Sequence, residues 1–461
     1  MNLKSTAPSI AHSIMACAAA CVVTFGHAQA QAPTATMPSQ QAPATTTSAV
    51  DLQTVTDAYA YLLGRAVVVR QERTDLMEPG IGYNVIKYNR VGAADFVNPN
   101  LDVAYMEAWI AVDDKTAVLL EVPEVIGRYY TAQILDEWGE VITNINERNY
   151  PSHPHGTFAF VAPGSTVKIP DGAVRIELHS RKAKMLARVE LKDDRDGAVT
   201  LQKRFLMKTQ GTPAILPAPP MASFDNEALL GAELFDDVDA LIDSAPDVSP
   251  VAPQLQAKAR EVARLAKDAQ HRKSLNLMIK EQIVPKFQQY AATQSGVTKN
   301  QWVATIGTGN YGADYWRRSA ANLLGLWANT NDEVVYFFTT QDGDGQALNG
   351  TNDYILEFSA AGRPDTVVNA YWSVILVDVP NYRVVPNSMN RFNFNNYSGL
   401  NTGADGSLKI LFARAPRSEV PESNWLPAPD GKAFFLNMRT YVPRDVVKRG
   451  EWFPPKIQRL R

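Results

Sequence analysis

The chain has 461 residues, 45% hydrophobic and 20% charged, with a formal net charge of −3. That length exceeds one comfortable core and predicts two or three domains. Charge of both signs is spread along the chain without long runs, which excludes the footprint of a nucleic-acid binder or a polybasic membrane surface.

The N-terminus offers Lys4, an apolar run from Ile14 to Phe25, and then Ala28-Gln29-Ala30. A short apolar run behind a positive charge and before small residues predicts a cleavable export signal, cut after Ala30, and a periplasmic or secreted protein. Cys21 follows Ala18-Ala19-Ala20, which lacks the branched residue or Leu a lipobox places first. Cys17 and Cys21 both lie in the leader, so the cleaved chain has no thiol, no disulfide and no cysteine metal ligand. Cleavage removes one lysine and no acid, leaving 44 basic against 48 acidic residues, a net of −4.

Residues 31–50 are almost all Gln, Ala, Pro, Thr and Ser, too polar to offset their ordering entropy, and read as a tether. Leu52, Val55, Ala58, Leu62, Leu63 and Ala66 recur at helical spacing and predict one amphipathic helix to about Glu72. From Val85 to Arg204 short apolar segments alternate with Pro, Gly, Asn and Asp. Strands are expected at Ala104 to Val112, Ala117 to Val122, Tyr129 to Leu135, Thr157 to Val161, Val174 to Leu178 and Leu186 to Leu191. Their ten-residue spacing points to an antiparallel sandwich or barrel.

Pro217-Ala218-Pro219-Pro220 breaks the pattern. Helical periodicity follows at Asn226 to Ile242, Pro253 to Ala292 and Tyr311 to Ala328. A second strand-rich block holds Val334 to Thr339, Asp353 to Phe358, Ala370 to Val377, Leu408 to Ala413 and Ala433 to Tyr441. The expected domains are 51–220, an N-terminal β domain with its leading helix; 221–300, a helical connector; and 301–461, a C-terminal β domain. The two β blocks are similar enough in size to be distantly related copies.

Asn98-Pro99-Asn100-Leu101-Asp102-Val103-Ala104-Tyr105, Ala108-Trp109, and Arg128-Tyr129-Tyr130 with Gln133 and Asp136 resemble the bacterial domain of unknown function 1254. Tyr311-Gly312, Tyr336, Tyr371-Trp372-Ser373, Pro386-Asn387, Arg391, Asn424 to Pro429, Arg439 and Tyr441 resemble its usual partner, domain 1214. The resemblance runs from about residue 55 to Pro455. It implies a mainly β fold with helical additions, two jelly-roll-like antiparallel domains joined by a helical connector. Val103, Ala104 and Met106 depart from the family's usual Thr, Leu and Ser, which weakens any mechanism built on those hydroxyls.

Candidate chemistry rests on few residues. Asp102, Tyr105 and Asp136 are the acid/base candidates. Strand alternation puts Tyr105 and Glu107 on one face and Asp102 on the other. As an acid or base Asp102 would be held by the amides of Asn98 and Asn100; the alternative is a cap or Asx-turn on a tight Asn-Pro-Asn loop. Tyr129, Tyr130, Gln133 and Trp138 form a polar-aromatic strand fit for a carbohydrate or aromatic ligand. Asn387, Arg391 and Arg439 add an amide and two guanidinium groups for an anionic group, with structural ion pairing as the alternative. His153-Pro154-His155 has metal-ligand spacing but reads as an exposed turn. Asp342-Gly343-Asp344-Gly345 fails the EF-hand pattern and reads as a hairpin loop.

No nucleophile elbow, phosphate loop, dinucleotide fingerprint or zinc-protease helix is present, so neither metal nor cofactor is expected. Three functions stay open: a small-molecule or saccharide binder with an aromatic and Arg-lined cleft, a hydrolase or lyase using carboxylate and Tyr, and an envelope scaffold. No nucleic-acid partner and no membrane span after cleavage are expected, and the oligomeric state is open.

Overall fold

In the computed structural model the described residues are 51–92, 99–379 and 383–460. The expected leader and its cut after Ala30, the 31–50 tether and Asn98 lie outside them.

Helix α1 (Leu52–Leu76) is capped by Asp51, whose carboxylate accepts from the Thr54 amide. It is not amphipathic as expected: Val55 to Val69 are buried on every side. A helix apolar all round belongs inside a fold. It packs against α3 (Val238–Asp243), α4 (Ala252–Leu265) and α7 (Tyr315–Gly325). By packing, therefore, the leading helix sits with the connector helices in one core. Its three buried charges are matched, Arg65 to Glu137 of the β unit at 3.2 Å, Glu72 to Lys182 at 2.7 Å and Asp57 to Lys258 at 2.6 Å. Gly64 permits the closest approach, since a side chain there would run into Ser319 Oγ.

The N-terminal β unit holds β1 (Lys87–Tyr88), β2 (Val103–Ala111), β3 (Ala117–Val122), β4 (Tyr130–Leu135), β5 (Val141–Ile145), β6 (Gly156–Val161), β7 (Val174–Glu177), β8 (Lys182–Glu190) and β9 (Leu206–Gln210). Helix α2 (Arg195–Gln202) lies between β8 and β9. The strands form two sheets, β1-β2-β8-β4-β5 and β7-β6-β3-β9. Alternation sends Met106, Ile110, Met185 and Ile134 inward against Leu120, Phe158 and Phe160 of the second sheet.

The connector departs from the expected pattern at its start. Only a 3-10 turn (Ala232–Phe235) and α3 form in the Asn226 to Ile242 stretch. The long helix expected from Pro253 to Ala292 is three, α4, α5 (Ala269–Met278) and α6 (Val284–Thr293), with a π-turn at Ile279–Ile283 joining the last two.

The C-terminal unit holds β10 (Val297–Lys299), β11 (Trp302–Ala304), β12 (Val334–Thr339), β13 (Tyr354–Phe358), β14 (Trp372–Asp378), β15 (Asn393–Asn395), β16 (Leu408–Ala413), β17 (Trp425–Pro427), β18 (Phe434–Tyr441) and β19 (Gln458–Arg459). A short helix α8 (Asp445–Lys448) precedes β19. The sheets are β10-β11-β12-β18-β14-β15 and β17-β16-β13-β19. Apart from the extra edge strand β10, each strand occupies the place of the strand ten earlier in the first unit. The match extends to the parallel pairs β6/β7 and β16/β17 and to a helix after β8 and after β18. The copies suspected from block size are thus one topology used twice. All four sheets are open, and none closes into a barrel.

Candidate functional site

The two β units meet through the same sheet of each. On the outer face of the first, Tyr105 of β2 lies opposite Arg188 of β8. On the outer face of the second, Tyr336 of β12 lies opposite Arg439 of β18. The equivalent strands thus present the same Tyr–Arg cross-strand pair, and both pairs line one cavity of about 1420 Å³. That volume exceeds the usual 300–1,000 Å³ of a small-molecule pocket.

Reciprocal struts hold the units together. Asp102, just before β2, accepts from Asn393 and Asn395 of β15 at 2.7 and 2.8 Å. Glu333, just before β12, accepts from Asn146, just after β5, at 2.9 Å. Tyr129 before β4 and Tyr371 before β14 meet edge to face at 6.0 Å. When a group on one copy contacts its counterpart's partner on the other, the arrangement is that of an isologous dimer, here within one chain. The symmetry is incomplete. Glu333 also binds Arg148 in a bidentate pair at 2.8 and 2.9 Å and accepts from Tyr129 Oη at 2.9 Å.

Arg188 is the unusual group. Its residue is 1% exposed, and its guanidinium lies over the Tyr105 ring at 5.4 Å. Its Nη2 donates to Gln133 Oε1 at 2.8 Å, and its Nε has no hydrogen-bond partner. No carboxylate among the described residues pairs with it. Gln133 is held in one orientation because its Nε2 donates to the carbonyls of Trp327 and Ala328, which leaves its oxygen facing Arg188. Trp327 adopts φ +69°, a left-handed backbone conformation that costs a bulky residue about 1 kcal/mol or more. Edge-to-face packing on Trp109 at 5.5 Å helps to hold it.

Other polar groups of the lining have partners within the protein. Burial pushes the Glu107 carboxyl up, but Lys184 at 3.0 Å and the Asn89 amide at 2.7 Å outweigh it and hold Glu107 below its ordinary range. Burial pushes the Tyr105 phenol up, so at neutral pH it is a protonated donor beside Arg188. Arg439 donates from Nη2 to the Pro99 carbonyl at 3.1 Å. Apolar walls come from Phe338, Phe435, Leu186, Leu326 and Val303.

Of the residues singled out from sequence, Tyr105 and Arg439 line the cavity. Asp102 does not line it. Its side chain reaches β15 because the residue precedes β2 and escapes the strand's alternation. Burial pushes its carboxyl up, against the pull of the Asn395 amide. Asp136 belongs to the β4–β5 turn, where Oδ1 accepts from the Trp138 and Glu140 amides and Oδ2 meets His179 at 2.8 Å. It does not meet Asp102 or Tyr105 in one site. Tyr129 belongs to the interface, whereas Tyr130 points into the sandwich core and donates to the Pro154 carbonyl. Gln133 orients Arg188.

Trp138 is core, stacked on Tyr61 at 4.8 Å. Asn387 folds its own loop, accepting from Met389 and Arg391. Arg391 donates to the carbonyls of Glu422 and Trp425, pinning that loop. His153 packs edge-on against Phe158, and His155 stands 3.9 Å from Glu124. Asp342 Oδ1 accepts from the Asp344 and Gln346 amides, closing a hairpin loop.

The chain matches the family model "Protein of unknown function (DUF1254)" over residues 83–209 and "Protein of unknown function (DUF1214)" over 333–445. It is a paired DUF1254–DUF1214 protein. The two matches fall on the two β units, so the duplicated topology lies beneath two separately defined families. Among solved structures the chain is similar to the VPA0106 protein of Vibrio parahaemolyticus, at 18% identity and a TM-score of 0.66, covering 89% of this chain and 100% of that one. A putative uncharacterized protein from Burkholderia cenocepacia is also similar, at 11% identity and a TM-score of 0.43, covering 88% and 94%. No curated protein matches the chain. No helix among the described residues is long and apolar enough to cross a membrane.

Proposed function

We propose that this DUF1254–DUF1214 protein binds a small anionic molecule in the cavity between two jelly-roll-like β units. Arg188 carries the reading. A guanidinium removed from water with no carboxylate partner among the described residues is costly, and a carboxylate seated between it and the Tyr105 hydroxyl would supply the missing charge. The same observation favours an anionic ligand over a neutral saccharide. A hydrolase or lyase would need an acid/base group facing the ligand. Asp102 is committed to the interface and Glu107 to Lys184, which favours binding over catalysis. The leader sequence supports placing this binder in the periplasm or outside the cell.

Thermal-shift measurements on the purified protein test the proposal. Small carboxylates should raise the melting temperature of the wild type and not of Arg188→Gln. Stabilisation by neutral sugars alone, equal in both proteins, would replace the anion reading with the saccharide one.

A further inference from the structure

Arg188 is one end of a charged wall, and the other end carries the opposite sign. Given the Arg188 anion site just proposed, we infer that the carboxylate bound there belongs to an amino acid, whose ammonium group docks on Glu107 and Asn89 of the same wall.

Register places these groups. The pairing of Tyr88 with Met106 continues to Asn89, whose backbone N–H donates to the Tyr105 carbonyl at 3.0 Å, and Tyr105 stands opposite Arg188. Asn89, Tyr105 and Arg188 therefore form one row on the outer face of the first sheet. Glu107 follows Tyr105 by two residues on that face, diagonal to Arg188, and such diagonal neighbours stand about 7–8 Å apart. All four residues line the cavity. The two charges do not meet: Arg188 turns to Gln133 and Glu107 to Lys184. Leu186, opposite Glu107 and two residues from Arg188, also lines the cavity and offers the ligand's carbon atoms an apolar contact between them.

Glu107 belongs to a set of charges with one negative too many. Lys184 lies 3.0 Å from Glu107 and 2.9 Å from Asp75, and Lys87, opposite Glu107 in the sheet, is held by Glu78 at 2.5 Å. Three carboxylates thus share two lysines. Glu107 keeps 24% of its side chain exposed, so a ligand can reach the surplus charge. Asn89 Nδ2 donates to Glu107 Oε1 at 2.7 Å, which fixes the amide and leaves Asn89 Oδ1 a buried acceptor without a hydrogen-bond partner. Gln202 of α2 donates to the carbonyls of Asn89 and Tyr105 at 2.9 and 2.7 Å and keeps the two residues side by side.

A carboxylate beside an unfilled amide acceptor calls for a cationic donor. An ammonium group serves both, whereas a second carboxylate would be repelled by Glu107. Arg90 and Glu227 also line the cavity, but they are exposed, and water and salt screen them.

Isothermal titration of the full chain with α-, β- and γ-aminobutyrate, their parent butyrate and their N-acetyl derivatives tests the inference. The best aminobutyrate should bind at least about tenfold more tightly than butyrate. Its N-acetyl form, which has lost the charge, should bind no more tightly than butyrate. Glu107→Gln should bring the aminobutyrate down to butyrate's affinity without weakening butyrate itself, and Lys184 keeps Asp75 as its partner in that variant. Arg188→Gln should lose both ligands. The three kinds of ligand are compared on the wild type, so that comparison stands even where Glu107→Gln fails to fold.

Butyrate binding as tightly as every aminobutyrate would overturn the amino acid and leave the single-anion site standing. A preference for aminobutyrate that survives in folded Glu107→Gln would also overturn it. Failure of every ligand, with Arg188→Gln indistinguishable from wild type, would overturn both readings.

Discussion

Glu333 and Asp102 occupy equivalent places in the two repeats, yet their neutralisation should cost very different amounts. Glu333 is buried and accepts from Arg148, Asn146 and Tyr129. Breaking a buried ion pair costs about 3–5 kcal/mol. Arg148 keeps 24% of its side chain exposed, so part of its lost charge is made good by water, and about 2–3 kcal/mol is expected for Glu333→Gln. Asp102 accepts two neutral amides on Oδ1, while Oδ2 makes no hydrogen bond among the described residues, and burial outweighs the pull of these amides and of nearby Arg439. An asparagine keeps that acceptor, so Asp102→Asn should cost about 1 kcal/mol or less. Urea denaturation of the two variants beside wild type gives both numbers. Equal costs, or a larger one for Asp102→Asn, would refute the reasoning that the Glu333–Arg148 ion pair holds the units together more strongly than the Asp102 amide bonds do.

Gln133→Glu should abolish carboxylate binding in a folded protein, because its new carboxylate would occupy Arg188 internally. Titration calorimetry with circular dichroism as the folding check decides this, and retained binding would remove Gln133 as the residue that positions Arg188. Asp136 raises the His179 pKa above 6.5 through their hydrogen bond. The stabilisation is therefore complete below pH 6.5 and is lost as the pH rises through the raised folded value. His179→Gln should thus destabilise the protein most in acid and least in alkali, and melting curves across pH showing the reverse trend would contradict it. Gly64→Val should cost about 1–3 kcal/mol by pushing α7 off α1; an unchanged urea midpoint would show that the helices part without strain.

The strand pattern in the sequence foretells most of the fold, because one face of each strand is buried and alternation records it. The short strands β1, β5, β9, β10, β11, β15, β17 and β19 escape notice, being brief or partly polar. Helix α1 misleads for a physical reason: Asp57, Arg65 and Glu72 imitate a solvent face but are buried and paired. The site is legible in part. Tyr105 and Arg439 stand in segments that draw attention, whereas Arg188 hides in a strand reading Lys-Ala-Lys-Met-Leu-Ala-Arg-Val-Glu, whose charges suggest a wet face. All four of those charged residues are buried. Pairing Arg188 with Tyr105 needs the strand order, since they lie on strands separated by five others in sequence. Once the two β blocks are aligned strand for strand, Arg439 points to Arg188.

The central claim is that the cavity holds an anion on Arg188. A crystal structure of the protein grown with a small carboxylate tests it most directly. The account predicts a carboxylate bonded to the Arg188 guanidinium and the Tyr105 hydroxyl. A ligand bound elsewhere on the protein, with this cavity filled by water alone, would contradict it.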